Sequence, residues 1–189
     1  TGESGVWMQY RKGLRDPVDG HFSVQLWRHS RWVNNKGPFD LEEAGIRVFA
    51  FREQVLPGTP YRVVPEESIT EITEGVEVEV LDGIKADSFP ATRIRVHGAG
   101  KSRAAGLHRV LVVQMYKTPE MDYFSPKALP YLKGLIDRYA DAGIRLHGLY
   151  SDEPHLMGDW SYHRHHEHGQ FALRYVSAGL AERFAERFG

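Results

Sequence analysis

The chain has 189 residues, with 24 Lys plus Arg, 25 Asp plus Glu and no cysteine. This length is typical of one domain or slightly more, and it is enough to bury a core without disulfides. The charge balance excludes a global field that would attract nucleic acid or an anionic membrane. The absence of cysteine excludes disulfides, Cys-ligated metals and a thiol nucleophile.

We expect neither a membrane span nor a targeting signal in this sequence. No apolar run approaches the roughly 20 residues that cross a bilayer. The first residues, TGESGVWMQY, have no initiator Met and lack the basic-then-apolar layout of a signal peptide. We therefore expect a fragment of a longer protein, and the sequence gives no indication of its compartment.

Residues 1–106 are predicted to form an antiparallel β-rich module. Apolar and polar residues alternate over 21–27, 46–51 and 92–97, as they do in half-buried strands. The valines within 76–80 alternate with glutamates in the same way. The glycine-rich stretch 98–106 lacks the spacing of a phosphate-binding loop, so we predict no nucleotide site there.

Residues 107–189 are predicted to form a β-α-β-loop-α segment. A nearly continuous apolar run, 107–116, is typical of a strand covered on both faces. Ser125 is a plausible N-cap, with Pro126 at the first helical position and Gly143 as the C-terminal glycine. A second strand, 144–151, and a helical stripe from 173 to 188 follow.

The fold class expected from this order is mixed α/β. It would comprise the antiparallel β module followed by consecutive βα units of an incomplete TIM-like barrel, joined by a right-handed crossover. A complete barrel takes about 250 residues, so two units would be part of something larger.

The sequence YSDEPH, 150–155, is the main candidate for catalysis. It places Asp152 and Glu153 where the second strand should end, which is where α/β enzymes commonly present an acid or base. Glu153 has the longer reach and is the candidate general acid/base, with Asp152 orienting it. Adjacent residues point to opposite sides of a strand, so these two do not form a glycosidase pair, and the second carboxylate is not identified. The alternative interpretation is a turn capped by acids.

Aromatic residues near this motif indicate a sugar site. Flat amphipathic rings suit the apolar faces of pyranoses, while imidazole, amide and carboxylate groups suit their hydroxyls. The alternative is that these rings pack loops onto the domain. The predicted substrate-binding residues are Tyr116, Tyr150, His155, Asp159 and Trp160.

A histidine-rich stretch, SYHRHHEHGQ, gives a different hypothesis. His163 with His166, and His165 with His168, are three residues apart and could hold zinc on one helical face. The HExxH arrangement is missing, however, and a solvated loop or a helix start explains the stretch equally well.

One segment resembles a known family. Residues DYFSPKA, 122–128, and SDEP, 151–154, resemble the α-L-rhamnosidases of glycoside hydrolase family 106 and related bacterial glycosidases. In that group a helix opened by such a segment leads into a strand that ends in Thr/Ser-Asp-Glu-Pro within a TIM-like barrel. The resemblance covers 114–155 and implies a catalytic or substrate-binding role for Glu153, and for Asp152.

From these features we predict a glycoside hydrolase, or a fragment of one, that needs no cofactor or resident metal. The first alternative is a non-catalytic carbohydrate-binding module, and the second is a metal-binding protein with a His-rich loop. The predicted partner is a carbohydrate, not nucleic acid or a membrane. Association with the rest of a larger enzyme, or with a second copy of the chain, is also expected.

Overall fold

The computed structural model describes residues 4–34, 37–85, 91–99, 104–148, 150 and 174–189. Strands dominate these residues, with one 3-10 turn at Glu66–Ser68 and two helices, α1 (Ala128–Asp141) and α2 (Ala178–Phe188). The strands in chain order are β1 (Ser4–Leu14), β2 (His21–His29), β3 (Arg31–Asn34), β4 (Gly37–Asp40), β5 (Glu42–Phe51), β6 (Gln54–Val55), β7 (Arg62–Val63), β8 (Thr70–Glu71), β9 (Glu77–Lys85), β10 (Ala91–Ala99), β11 (Arg109–Met121) and β12 (Arg174–Val176).

Two sheets pack face to face around one core. The larger sheet has the order β12-β1-β11-β5-β8, and the smaller has the order β2-β10-β9. Strands β3 and β4, and strands β6 and β7, form separate two-stranded hairpins. Side chains from β2 and β10 meet those from β5 and β11, giving the apolar layer of a β-sandwich. That core contains Phe22, Val24, Leu26, Val48, Ala50, Ile94, Val96, Val110 and Val112.

Alternation in the sequence explains which residues enter this core. Along β2, Phe22, Val24 and Leu26 are buried, whereas the intervening His21 and Ser23 are exposed. Side chains of a strand point alternately to its two faces, so one face is apolar and the other polar. The strands predicted from alternation over 21–27, 46–51 and 92–97 are confirmed as β2, β5 and β10.

Side chains of the larger sheet cover the edge of the smaller one. Strand β2 lies at an edge, so part of its backbone has no strand partner. Gln9 Nε2 donates to the carbonyl of Trp27 at 3.1 Å, and Arg11 Nη1 donates to the carbonyl of Gln25 at 2.8 Å. These hydrogen bonds replace a neighbouring strand, and they prevent an open edge from pairing with another chain.

The predicted α/β class with an incomplete TIM-like barrel is wrong. Every strand pairing recorded among the described residues is antiparallel. Strand β11 lies between β1 and β5, so both of its edges are occupied and a parallel partner has no place to bind. The second barrel strand was predicted over 144–151, and its described residues, 144–148 and 150, form no strand. The apolar run of β11 has a different cause. A central strand of a sandwich packs one face against the core, and its other face is also partly covered.

The larger sheet contains strands from both sides of the boundary predicted at residue 106. Strand β11, from the predicted second part, pairs with β1 and β5 from the first. The larger sheet therefore contains strands from both parts.

Helix α1 begins and ends within a few residues of its predicted bounds, whereas the helical stripe predicted over 173–188 is wrong at its start, since Arg174–Val176 form β12 and α2 covers Ala178–Phe188. Helix α1 begins at Ala128 rather than Pro126, and Gly143 follows it with a positive φ of 73°. Ser177 caps α2 by accepting a hydrogen bond from the Leu180 N–H at 3.1 Å. Apolar side chains of α1, among them Tyr131 and Ile136, are exposed. Neither described helix has the length and apolar character needed to cross a membrane.

Candidate functional site

A shallow depression of about 300 Å³ lies on the outer face of the smaller sheet, and we call it the polar cleft. It differs from the core side of the same sheet because all of its lining residues are polar or charged. They are His21, Ser23, Gln25, Glu79, Arg95 and His97.

The strand register brings these side chains together. Gln25 lies opposite Arg95 and Ser23 lies opposite His97 across β2 and β10, while Glu79 lies opposite Arg95 across β10 and β9. Directly opposed residues of antiparallel strands have Cβ atoms about 5 Å apart, so their side chains form one continuous surface. The cleft is therefore assembled from residues far apart in the sequence.

The charges within the cleft nearly balance. Arg95 Nη1 donates to Glu79 Oε2 at 2.8 Å, and His97 Nε2 lies 4.0 Å from Glu77 Oε2. Hydroxyl, amide and imidazole groups alongside this ion pair can both donate and accept hydrogen bonds. Such a surface suits a neutral, highly hydroxylated ligand better than a strongly charged one.

A stacked pair lies next to Gln25 on the same face. The guanidinium carbon of Arg93 is 4.9 Å from the centre of the Trp27 ring, and Arg93 Nε donates to Gln25 Oε1 at 3.4 Å. Trp27 is only 4% exposed, so its ring is covered rather than offered to a ligand. Burial, and then the charge of Arg11, lowers the pKa of Arg93. Among the described residues that line the cleft, none is aromatic apart from the histidines.

Two of the predicted site residues are described, and their surroundings differ. Tyr116 is fully buried, and its Oη accepts hydrogen bonds from the His29 N–H at 3.0 Å and from Gln9 Nε2 at 2.8 Å. Burial raises the pKa of the Tyr116 hydroxyl well above its ordinary value. Tyr150 is 88% exposed. The structure thus gives Tyr116 a place in the core and leaves Tyr150 at the surface.

The other predicted residues lie outside the described part of the chain. These are Asp152, Glu153, His155, Asp159 and Trp160, and the same holds for the four histidines of the zinc hypothesis. Within the described ranges, no three His, Asp or Glu side chains converge as a metal site would require.

The residues of the polar cleft were not singled out by sequence reasoning. Their alternation with apolar positions was interpreted only as a solvated sheet face. The available signal was that three strands carry hydrogen-bonding residues of unlike type at alternate positions: His-Ser-Gln, Arg-His and Glu. Recognising a cleft from this would have required the register of β2, β10 and β9.

Comparison of the chain with models of known protein families, with curated proteins and with solved structures finds no match. The case for a function therefore depends on the residues of this chain alone.

Proposed function

We propose that this chain is a glycan-binding β-sandwich module that holds its ligand in the polar cleft. The observation that carries the proposal is the convergence of hydroxyl, amide, imidazole, guanidinium and carboxylate groups on one exposed sheet face. Sugars present closely spaced hydroxyls that each donate and accept, and a mixed set of side chains can satisfy both needs.

A rigid scaffold favours such recognition. The cleft residues project from paired strands, and the opposite face of these strands packs on the core. Binding should therefore cost little backbone conformational entropy. Gln25 is further held by its backbone, because its carbonyl accepts from Arg11 Nη1 at 2.8 Å. The Arg95–Glu79 pair orients both side chains before any ligand arrives.

The proposal is tested by titrating the chain with neutral trisaccharides of glucose, xylose, mannose, galactose and rhamnose. Binding of one or more is expected, and Arg95→Gln should weaken it about tenfold, which is the usual effect of losing a hydrogen bond to a charged group. Arg31→Gln is the matched control, since Arg31 also forms an exposed ion pair, with Asp40 at 2.9 Å, but lies on β3. Equal loss in both variants, or no binding at all, would refute the proposal.

A second candidate function is hydrolysis of a glycosidic bond. The sequence SDEP, 151–154, supports it, with Glu153 as general acid/base, Asp152 as its orienting neighbour, and Tyr150, His155, Asp159 and Trp160 as substrate contacts. Glu153→Gln is a neutral isostere, so it should abolish hydrolysis of an aryl glycoside and retain binding. If the unaltered chain binds a glycan but hydrolyses none, the proposal of a binding module stands and the proposal of a hydrolase is refuted.

A further inference from the structure

A second depression, of about 330 Å³, lies on the larger sheet, and positive side chains outnumber negative ones in it. Its centre is Glu53, whose side chain is only 8% exposed. Lys12 Nζ lies 3.0 Å from Glu53 Oε1, and Arg109 Nε and Arg62 Nη1 lie 3.0 Å and 3.4 Å from Oε2. We call these four residues the Glu53 cluster.

Residues on or next to four strands build the Glu53 cluster. Lys12 is on β1 and Arg109 begins β11, which pairs with β1 in an antiparallel register. Glu53 follows the end of β5, which neighbours β11, and Arg62 belongs to β7 of the adjoining hairpin. The cations therefore come from elements held by sheet pairing, which fixes their positions without a ligand.

One carboxylate does not neutralise three cations. Within the described part of the chain, Glu53 is the acceptor for Lys12, Arg62 and Arg109, and most N–H groups of these three side chains have no other acceptor there. Two ion pairs close to this region in sequence differ from the Glu53 cluster. Arg47 pairs with Glu71, and Arg52 pairs with Glu67, so in each pair one carboxylate neutralises one guanidinium. The cluster thus has a surplus of two positive charges and of N–H donors.

We propose that the Glu53 cluster binds an oxyanion: a carboxylate, sulfate or phosphate group. The guanidinium of Arg109 engages Glu53 through Nε, and its terminal nitrogens can donate to a second oxyanion. Lys12, which lines the depression, and Arg62, which contacts Glu53 at 3.4 Å, add two further positive charges. Glu53 acts as a positioning residue, since it holds the three cations together against their mutual repulsion.

This site is independent of the polar cleft. The cleft is on the smaller sheet and is nearly neutral, whereas the Glu53 cluster is on the larger sheet and is cationic. Loss of one binding activity would therefore leave the other intact, and the two proposals can fail separately.

The test is a titration followed by amide chemical shifts at constant ionic strength, with sodium chloride as the balancing salt. The probes are sodium sulfate, sodium phosphate, sodium glucuronate and uncharged glucose. We expect saturable shifts at Lys12, Gly13, Glu53 and Arg109 with at least one oxyanion and none with glucose. A glucuronate affinity above that of sulfate and phosphate identifies an acidic sugar as the source, and the reverse order identifies a free inorganic anion.

Variants separate a built site from general charge. Arg109→Gln and the more exposed Lys12→Gln should each weaken binding about tenfold. Arg47→Gln is the control, because it removes the same charge from a neutralised pair on β5 of the same sheet. Equal weakening by Arg47→Gln, or shifts that chloride reproduces, would overturn the proposal. A folded Lys12→Gln chain with undiminished binding would do the same.

Discussion

The hydroxyl of Tyr116 accepts a hydrogen bond from the backbone N–H of His29 at 3.0 Å. This contact joins the middle of the larger sheet to the edge strand of the smaller one, and Gln9 Nε2 donates to the same oxygen at 2.8 Å. Gln114 extends the network by accepting from Gln9 Nε2 at 2.9 Å and donating to Glu43 at 2.8 Å. One end of the sandwich is therefore held by buried hydrogen bonds rather than by apolar contact.

Tyr116→Phe should destabilise the chain by about 1–2 kcal/mol, because it removes the acceptor of the His29 N–H, whereas the Gln9 amide keeps the Trp27 carbonyl and Gln114 as acceptors. The measurement is the free energy of unfolding in urea. Tyr61→Phe is the control, since Tyr61 is 69% exposed, and its effect should stay within about 0.5 kcal/mol. Unchanged stability in Tyr116→Phe would show that this network contributes little.

Two glycines should respond in opposite directions to alanine. A Cβ at Gly13 would overlap Val24 Cγ2 and lie 3.1 Å from Val110 Cγ1, so Gly13→Ala should cost about 1–3 kcal/mol by overpacking. Gly134, inside α1, has nothing within 4 Å of such a Cβ. Gly134→Ala should stabilise the chain by about 0.5–1 kcal/mol through helix propensity. Thermal or urea unfolding of both variants checks this, and the same sign for both would contradict the packing described.

The contribution of Glu53 to stability should depend on pH. Its hydrogen bond to Lys12, together with Lys12 and Arg109 charge and the Arg109 hydrogen bond, outweighs burial and lowers the pKa of Glu53 from 4.5. A carboxyl with a lowered pKa in the folded state stabilises above its unfolded pKa, and loses that effect as the pH falls toward the folded value. Glu53→Gln should therefore be less stable than the unaltered chain at pH 7, with the difference shrinking below about pH 4.5.

Urea unfolding at pH 7 and pH 3 measures this difference directly. Glu67→Gln is the matched control, because Glu67 forms one ion pair, with Arg52, and is 70% exposed. Its effect should be below about 1 kcal/mol at either pH. A stability difference for Glu53→Gln that stays constant between the two pH values would contradict the assignment.

Local features of the fold could be predicted from the sequence, whereas the arrangement of its strands could not. Alternation identified β2, β5 and β10, and Gly143 marked the end of α1, because these signals depend on neighbouring residues. The α/β class was wrong because an apolar run such as that of β11 fits a parallel barrel strand and a central sandwich strand equally well. Choosing between them requires the knowledge that β1 and β5 occupy both edges of β11.

The two sites could not be predicted from the sequence for the same reason, because their residues come together only through the arrangement of the strands. Tyr116 was predicted at a sugar site because aromatic residues near a strand end suit sugars, but its partners, His29 and Gln9, are distant in sequence. Neither the polar cleft nor the Glu53 cluster has a sequence motif. Each is formed where three or more segments meet, and only the register of the sheets shows which charges lie together.

The most direct test of glycan binding by the polar cleft is a titration of the isotopically labelled chain with whichever neutral trisaccharide binds. The account predicts saturable amide shifts centred on Ser23, Gln25, Arg95 and His97, unchanged in Arg31→Gln and saturating only at about tenfold higher ligand concentration in Arg95→Gln. Shifts that map away from β2 and β10, or that persist unchanged in Arg95→Gln, would contradict it.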